Sequence, residues 1–95
     1  MADYRLQIVT HQRTVFDKDV TSVTMPGEEG YFGVMANHAP IIAVLKEGNV
    51  DIRIGKKTQR VWISGGFFEM ESNRGTLLTD RLTGIDIPED EEDQP

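Results

Sequence analysis

Cysteine is missing altogether. No disulfide framework and no thiolate metal site can therefore be built, and the chain fits a reducing compartment. Long hydrophobic runs are missing too. The longest, Ala39 to Leu45, is interrupted by Pro40 and falls far short of the roughly 20 residues that span a bilayer. Acidic Asp3 and the alternation that follows it leave no secretory-leader pattern at the start of the chain. Basic charge is scarce: 10 Lys and Arg stand against 16 Asp and Glu, for a net charge of −6. Most of the excess sits in the tail Glu89-Asp90-Glu91-Glu92-Asp93, so the remainder is nearly neutral. A neutral body with an acidic tail excludes a nucleic-acid partner, whose phosphates call for clustered Lys and Arg. Tryptophan occurs once. Nowhere does a 3.6-residue apolar period announce an amphipathic helix.

What is present is strand pattern. With 95 residues the chain has room for one domain. Tyr4 to Thr10 alternates, with Tyr4, Leu6 and Ile8 on one face and Arg5 and Gln7 on the other, the mark of a half-buried strand. Strand character resumes at Thr14-Val15-Phe16, and Asp17-Lys18-Asp19 is expected to break it. Val20 to Met25 is rich in β-branched residues, which suit a pleated surface, and is expected to end at a Pro26-Gly27 turn. Tyr31 to Val34 reads as a short strand and Ile41 to Leu45 as a buried one. Lys46 to Asn49 reads as a tight turn. Val50 to Ile54 and Arg60 to Ile63 form a hairpin around Gly55 to Thr58. Ser64-Gly65-Gly66 marks a bulge or corner. Phe67 to Met70 and Thr76 to Thr79 flank a turn at Asn73-Arg74-Gly75. From Asp80 the pattern fades. The predicted fold is all-β, a flattened ten-stranded antiparallel β-sandwich or barrel spanning residues 1–87. Residues 88–95, charged and without apolar side chains, are expected to be a disordered acidic tail.

The most distinctive stretch is Pro26 to Pro40. Gly27, Gly30 and Gly33 recur at intervals of three, each able to take a positive φ. Glu28 and Glu29 lie between them, Tyr31 and Phe32 follow, and Asn37-His38-Ala39-Pro40 closes the stretch with a second turn. This reads as a shaped loop on a rigid scaffold. The glycine spacing matches neither a dinucleotide fingerprint nor a P-loop, and two carboxylates repel an anion. If Tyr31 and Phe32 are in a strand, one faces the core and the other outward. His11 and His38 lie far apart and form no helical i, i+4 ligand pair. Ser64-Gly65 lacks the leading glycine of a nucleophile elbow, position 62 being tryptophan. The residues by themselves thus describe a small β-sandwich that binds something, with no catalytic residues, no cofactor and no metal expected.

Val23 to Pro40 resembles the hallmark segment of the epsilon subunit of F-type ATP synthases, called delta in mitochondria. Leu45-Lys46-Glu47-Gly48 is similar to the turn that follows it in that family, and Ser64 to Met70 is similar to the family's second signature. Leu6 to Thr10 leading to Val15-Phe16 also fits. The resemblance covers nearly all of residues 4–80.

The resemblance implies a ten-stranded flattened sandwich at the foot of the central stalk of a proton-translocating F-type ATP synthase, a non-catalytic rotor subunit that joins the gamma subunit to the ring of c subunits during ATP synthesis. It implies that Gly27, Glu28, Glu29, Gly30, Tyr31, Phe32 and Gly33 face the c-ring, whose loops in this family carry basic groups, and that Asn37, His38, Pro40, Gly65 and Gly66 are structural turn residues. It implies gamma and the c-ring as partners, no homo-oligomer, membrane association only through the complex, and a place on the cytoplasmic face of a bacterial plasma membrane. Departures are Tyr31 and Phe32 where the family often has an acid and a leucine, Ala36 in place of proline, and Glu47 in place of the proline of a Pro-Gly turn. Members usually continue into a helical hairpin. After Ile87-Pro88 no apolar period remains to form one, so hairpin-based inhibition and nucleotide sensing are not expected. The competing readings are a free-standing β-sandwich binding a small ligand such as a carbohydrate, and a small hydrolase. Sugar platforms need open Trp or Tyr, and the one Trp is embedded in Val61-Trp62-Ile63.

Overall fold

The computed structural model describes residues 2–84. The predicted tail, residues 88–95, and the domain boundary at residue 87 lie outside the described residues. The elements are β1 (Tyr4–Val9), β2 (Thr14–Val20), β3 (Ser22–Gly27), β4 (Gly30–Met35), β5 (Ile41–Leu45), β6 (Gly48–Ile54), β7 (Lys57–Ile63), β8 (Gly66–Glu71), β9 (Arg74–Leu78) and β10 (Leu82–Thr83). Among the described residues there is no helix, and so none long and apolar enough to cross a membrane.

All ten strands belong to one continuous sheet, ordered β10-β7-β6-β3-β5-β8-β9-β1-β2, with β4 paired to β3 off that path. The sheet folds back on itself where β3 and β5 meet, because these strands share a single pair, Gly27 with Leu45. Beside it, Lys46 N–H donates to Pro26 O at 2.8 Å. One half is then β10-β7-β6-β3-β4 and the other β5-β8-β9-β1-β2. The all-β sandwich expectation holds, with one correction: β1 and β9 run parallel, Arg5 opposite Arg74 through Val9 opposite Leu78, while the other pairings are antiparallel.

Alternation decides what each strand gives to the core. Tyr4, Leu6 and Ile8 point inward from β1, Ile52 and Val50 from β6, Val61 and Ile63 from β7, Phe68 and Met70 from β8. With Val20, Val23, Met25, Val34 and Leu77 they form one buried cluster drawing on both halves. Tyr4 also ties the halves by a polar link. Its hydroxyl donates to Val34 O of β4 at 2.9 Å, in a buried position. Burial there pushes the phenol pKa well above its ordinary value, since the charged form would be stranded in an apolar setting.

Three expectations about boundaries are corrected. Asp17-Lys18-Asp19 does not break the strand, because β2 runs unbroken through it. The reason is cross-strand pairing: Arg5 Nε meets Asp17 Oδ1 at 2.6 Å and Arg5 Nη1 meets Asp19 Oδ1 at 3.5 Å, and Gln7 Nε2 donates to Asp17 Oδ2 at 3.3 Å. Pro26 and Gly27 are strand residues, not a turn, and the chain reverses at Glu28-Glu29. The later turn lies at Ser72-Asn73, both with positive φ, so that Arg74 and Gly75 already belong to β9.

The expected corner at Ser64 to Gly66 is present, with φ of 115° at Gly65 and 142° at Gly66. A Cβ on Gly66 would fall 1.9 Å from Leu78 O, so neither the backbone conformation nor the space admits a side chain. Gly66→Ala is expected to cost about 3 kcal/mol or more, read as a fall in urea midpoint at unchanged slope. Tyr4→Phe should cost about 1–2 kcal/mol by leaving a buried carbonyl without its donor. A raised folded-state phenol pKa stabilises fully below the unfolded value, near 10, and that contribution is lost as pH rises further. The wild type should therefore lose stability above about pH 10 more steeply than Tyr4→Phe. In the opposite arm, hydrogen bonds from Arg5 and Arg60 hold Asp17 and Asp51 below the usual carboxylate range. Their contribution is present at neutral pH and lost as pH falls through that range, so Asp17→Asn with Asp51→Asn should flatten the acid side of a stability–pH curve.

Candidate interaction surface

The outward face of β5, β8, β9 and β1 can be followed row by row through the registers. In one row Val44 lies opposite Phe67, Phe67 opposite Leu78, and Leu78 beside Val9. The next row is Ile42, Glu69, Thr76, Gln7. The third is Glu71, Arg74, Arg5, Asp19. The face thus grades from apolar to charged along the strands. Ile42 is 76% exposed, Val44 and Phe67 47%, and Leu78 45%. An outward row of this kind is unusual in an antiparallel sheet with one solvated face, whose outward positions are normally polar. A contiguous apolar patch is a mark of an interaction site. The sequence reading missed it, taking Ile41 to Leu45 as buried throughout. The signal was there, since Phe67 and Leu78 fall out of phase with the inward Phe68 and Leu77.

Two hollows adjoin this row. One, of about 530 Å³, is walled by the Gly27-to-Phe32 segment on one side and by Ile41 to Val44 on the other. The segment itself is a tight hairpin rather than a broad loop. Gly27 faces Gly30 across a two-residue turn, and Tyr31, Phe32 and Gly33 are paired in β4 with Pro26, Met25 and Thr24. Of the three glycines only Gly30 has a positive φ, 132°. Gly27 is needed instead for space, since a Cβ there would stand 2.9 Å from the Phe32 ring. Phe32 packs against the core while Tyr31 is 61% exposed, as strand alternation requires. The Tyr31 hydroxyl accepts Asn49 N–H at 3.4 Å. Glu28 and Glu29 are exposed at the tip and have no cationic partner among the described residues.

The second hollow, of about 440 Å³, opens at the other end of the row, where Phe67 and Leu78 meet the Ser64-to-Gly66 corner, His11 and Asp80. Serine, histidine and a carboxylate share it, yet they form no nucleophile–base relay. Ser64 Oγ accepts Arg81 N–H at 3.2 Å, and His11 is hydrogen-bonded to neither Ser64 nor Asp80. An unactivated hydroxyl is a weak nucleophile. Among the described residues, no group of three or more His, Asp or Glu side chains is placed to hold a metal ion.

The residues expected to shape turns sit apart from the acidic tip. The N–H of Asn37, whose φ is 65°, donates to Asn73 Oδ1 at 2.7 Å. Asn73 Nδ2 in turn donates to Asp3 O at 3.2 Å. His38 Nδ1 lies 2.7 Å from Ala39 O, and Pro40 is exposed just before β5. Asn73 reads from the sequence as a turn residue only; its tie to Asn37 and the chain start is missed there because those partners lie far away along the chain.

Comparison with known proteins agrees with this architecture. A family model described as "ATP synthase, Delta/Epsilon chain, beta-sandwich domain" matches residues 3–84. An ATP synthase epsilon chain of Chlorobium limicola is 44% identical over 81 residues, covering 84% of this chain and 92% of that protein. One of Pelotomaculum thermopropionicum is 44% identical over 86 residues, 87% of this chain and 64% of its own length. This chain spans about three fifths of several other curated relatives, among them 60% of an epsilon chain of Maridesulfovibrio salexigens. A chain in a cryo-EM structure of the Euglena gracilis mitochondrial ATP synthase OSCP/F1/c-ring superposes with a TM-score of 0.83 at 23% identity, over 90% of this chain and 55% of that one. A chain of the Tetrahymena thermophila mitochondrial ATP synthase central stalk and c-ring gives 0.73 at 18% identity, over 95% and 71%. These two likenesses show a shared fold. With the family match running from the first strand to the last and the same curled sheet recurring at low identity, the chain belongs to the ATP synthase delta/epsilon family through its β-sandwich domain.

Proposed function

We propose that this protein is a non-catalytic central-stalk subunit of a proton-translocating F-type ATP synthase, joining the gamma subunit to the c-ring. The observation that carries the reading is one face: an exposed apolar row, Val44-Phe67-Leu78, running beside an acidic turn, Glu28-Glu29, that has no cationic partner among the described residues. The row supplies what a lasting partner needs, desolvated apolar area, and gamma is assigned to it. An interface of that kind buries at least about 1,000 Å², more than these three side chains provide, so the partner also covers their neighbours. The turn is assigned to the c-ring, whose basic loops it complements. Exposed ion pairs contribute only about 0–1 kcal/mol each, so Glu28 and Glu29 orient the contact more than they hold it. The protein would act from the cytoplasmic face of a bacterial plasma membrane, held there by the complex. The relatives' bacterial sources and their shared name support this reading. A free-standing sugar-binding module has no comparable support, since Trp62 is half-buried in β7 and Tyr31, though exposed, is a single ring whose hydroxyl is taken by Asn49 N–H.

The test is co-purification with the gamma subunit of the same organism. A stoichiometric complex is expected, and Phe67→Ser should weaken it about tenfold or more, the loss of roughly 1.4 kcal/mol of apolar burial. Glu28→Lys with Glu29→Lys should leave gamma binding intact and weaken docking of that complex on isolated c-rings. Absence of any complex with gamma, or ring docking indifferent to both reversals, would overturn the assignment.

A further inference from the structure

We infer that the hollow at the Ser64–Gly66 corner receives a lysine or arginine side chain of the protein that covers the apolar row. The inference rests on the proposed docking face and adds the chemistry of one anchor within it. The hollow and the row share Phe67 and Leu78, so whatever covers the row also spans the opening. One wall is apolar, made of Val9, Phe67 and Leu78. It suits the aliphatic stem of a long cationic side chain, which buries its methylenes and keeps its charged head in polar surroundings.

The other wall decides the head group. Its hydroxyls are already committed within the chain. Thr79 Oγ1 donates to Arg81 O at 3.2 Å, Thr10 Oγ1 to Arg13 O at 3.3 Å, and Ser64 Oγ accepts the Arg81 amide. Among the described residues, Asp80 is the only carboxylate lining the hollow, and no Lys or Arg lines it. Asp80 is exposed and has no ion-pair partner among the described residues. A carboxylate at the mouth of a half-apolar hollow, beside a face that excludes water once covered, attracts a cation more strongly than one in open solvent. The volume, about 440 Å³, accommodates a single long side chain. The walls are fixed, because the corner backbone rests on Leu78 O and Thr79 N–H donates to Val9 O at 3.1 Å.

The experiment measures gamma affinity at several salt concentrations for the wild type, Asp80→Asn, Asp80→Glu and Phe67→Ser, each first shown to be folded by its urea midpoint. Asp80→Asn is expected to weaken the complex about tenfold at low salt and to flatten its salt dependence, while Asp80→Glu keeps most of both. Phe67→Ser should weaken the complex with the salt dependence unchanged. Affinity and salt dependence of Asp80→Asn equal to wild type, with Phe67→Ser still damaging, would overturn the anchor and leave the docking face standing. Indifference to Phe67→Ser would overturn the face itself.

Discussion

Side chains two residues apart share a face in a strand, and ten strands closed around one core leave each strand a single inward register. Residues such as Leu6, Ile52, Phe68 and Leu77 are fully buried on that account. A slip of one position in β8 would bury Glu69 and expose Phe68 and Met70. The same constraint makes surplus apolar residues visible. Once Phe68 and Leu77 are assigned inward, their neighbours Phe67 and Leu78 have nowhere to go but out. The core therefore does not explain them, and the proposed partner would cover them.

Legibility in the sequence followed the range of the forces involved. The alternation of Tyr4 to Ile8 and of Val50 to Ile54 is local, and the strands it predicts are β1 and β6. The corner at Gly65-Gly66 was legible because glycine pairs carry a local backbone meaning. Asp17-Lys18-Asp19 misled because its stabilisation comes from Arg5 and Gln7 on another strand, and cross-strand pairs leave no trace in the local run. Pro26 misled in the same way. A proline within a strand is tolerated where its missing N–H is not called for, and here its carbonyl serves Lys46. The parallel pairing of β1 with β9 and the two-residue β10 depend wholly on tertiary placement.

The sequence singles out the acidic segment and not the apolar row. The structure makes them neighbours. Gly27 is the residue through which β3 touches β5, so the strand that carries the acidic turn is the one at which the sheet folds over. The tip is therefore tied to β5, whose outward Ile42 and Val44 wall the same hollow. The family resemblance described a loop where the chain builds a short hairpin with Phe32 closed over Gly27. Only two of its seven expected contact residues, Glu28 and Glu29, form the turn itself.

On the proposed function, that mechanical linkage bears on how a subunit without chemistry would serve a rotary machine. A part that passes torque between two partners must resist bending between its two contacts. Here both surfaces rest on one core, with no linker between them and Tyr4 tying the halves by a buried hydrogen bond. Packed cores deform little because they have few voids to close. On the proposed reading, charge alone could not hold the acidic end on the ring, since exposed pairs are weak and screened by salt. On the proposed reading, the acidic tip sets the angle of approach and the apolar row takes the load, and rigidity makes the first of these useful to the second.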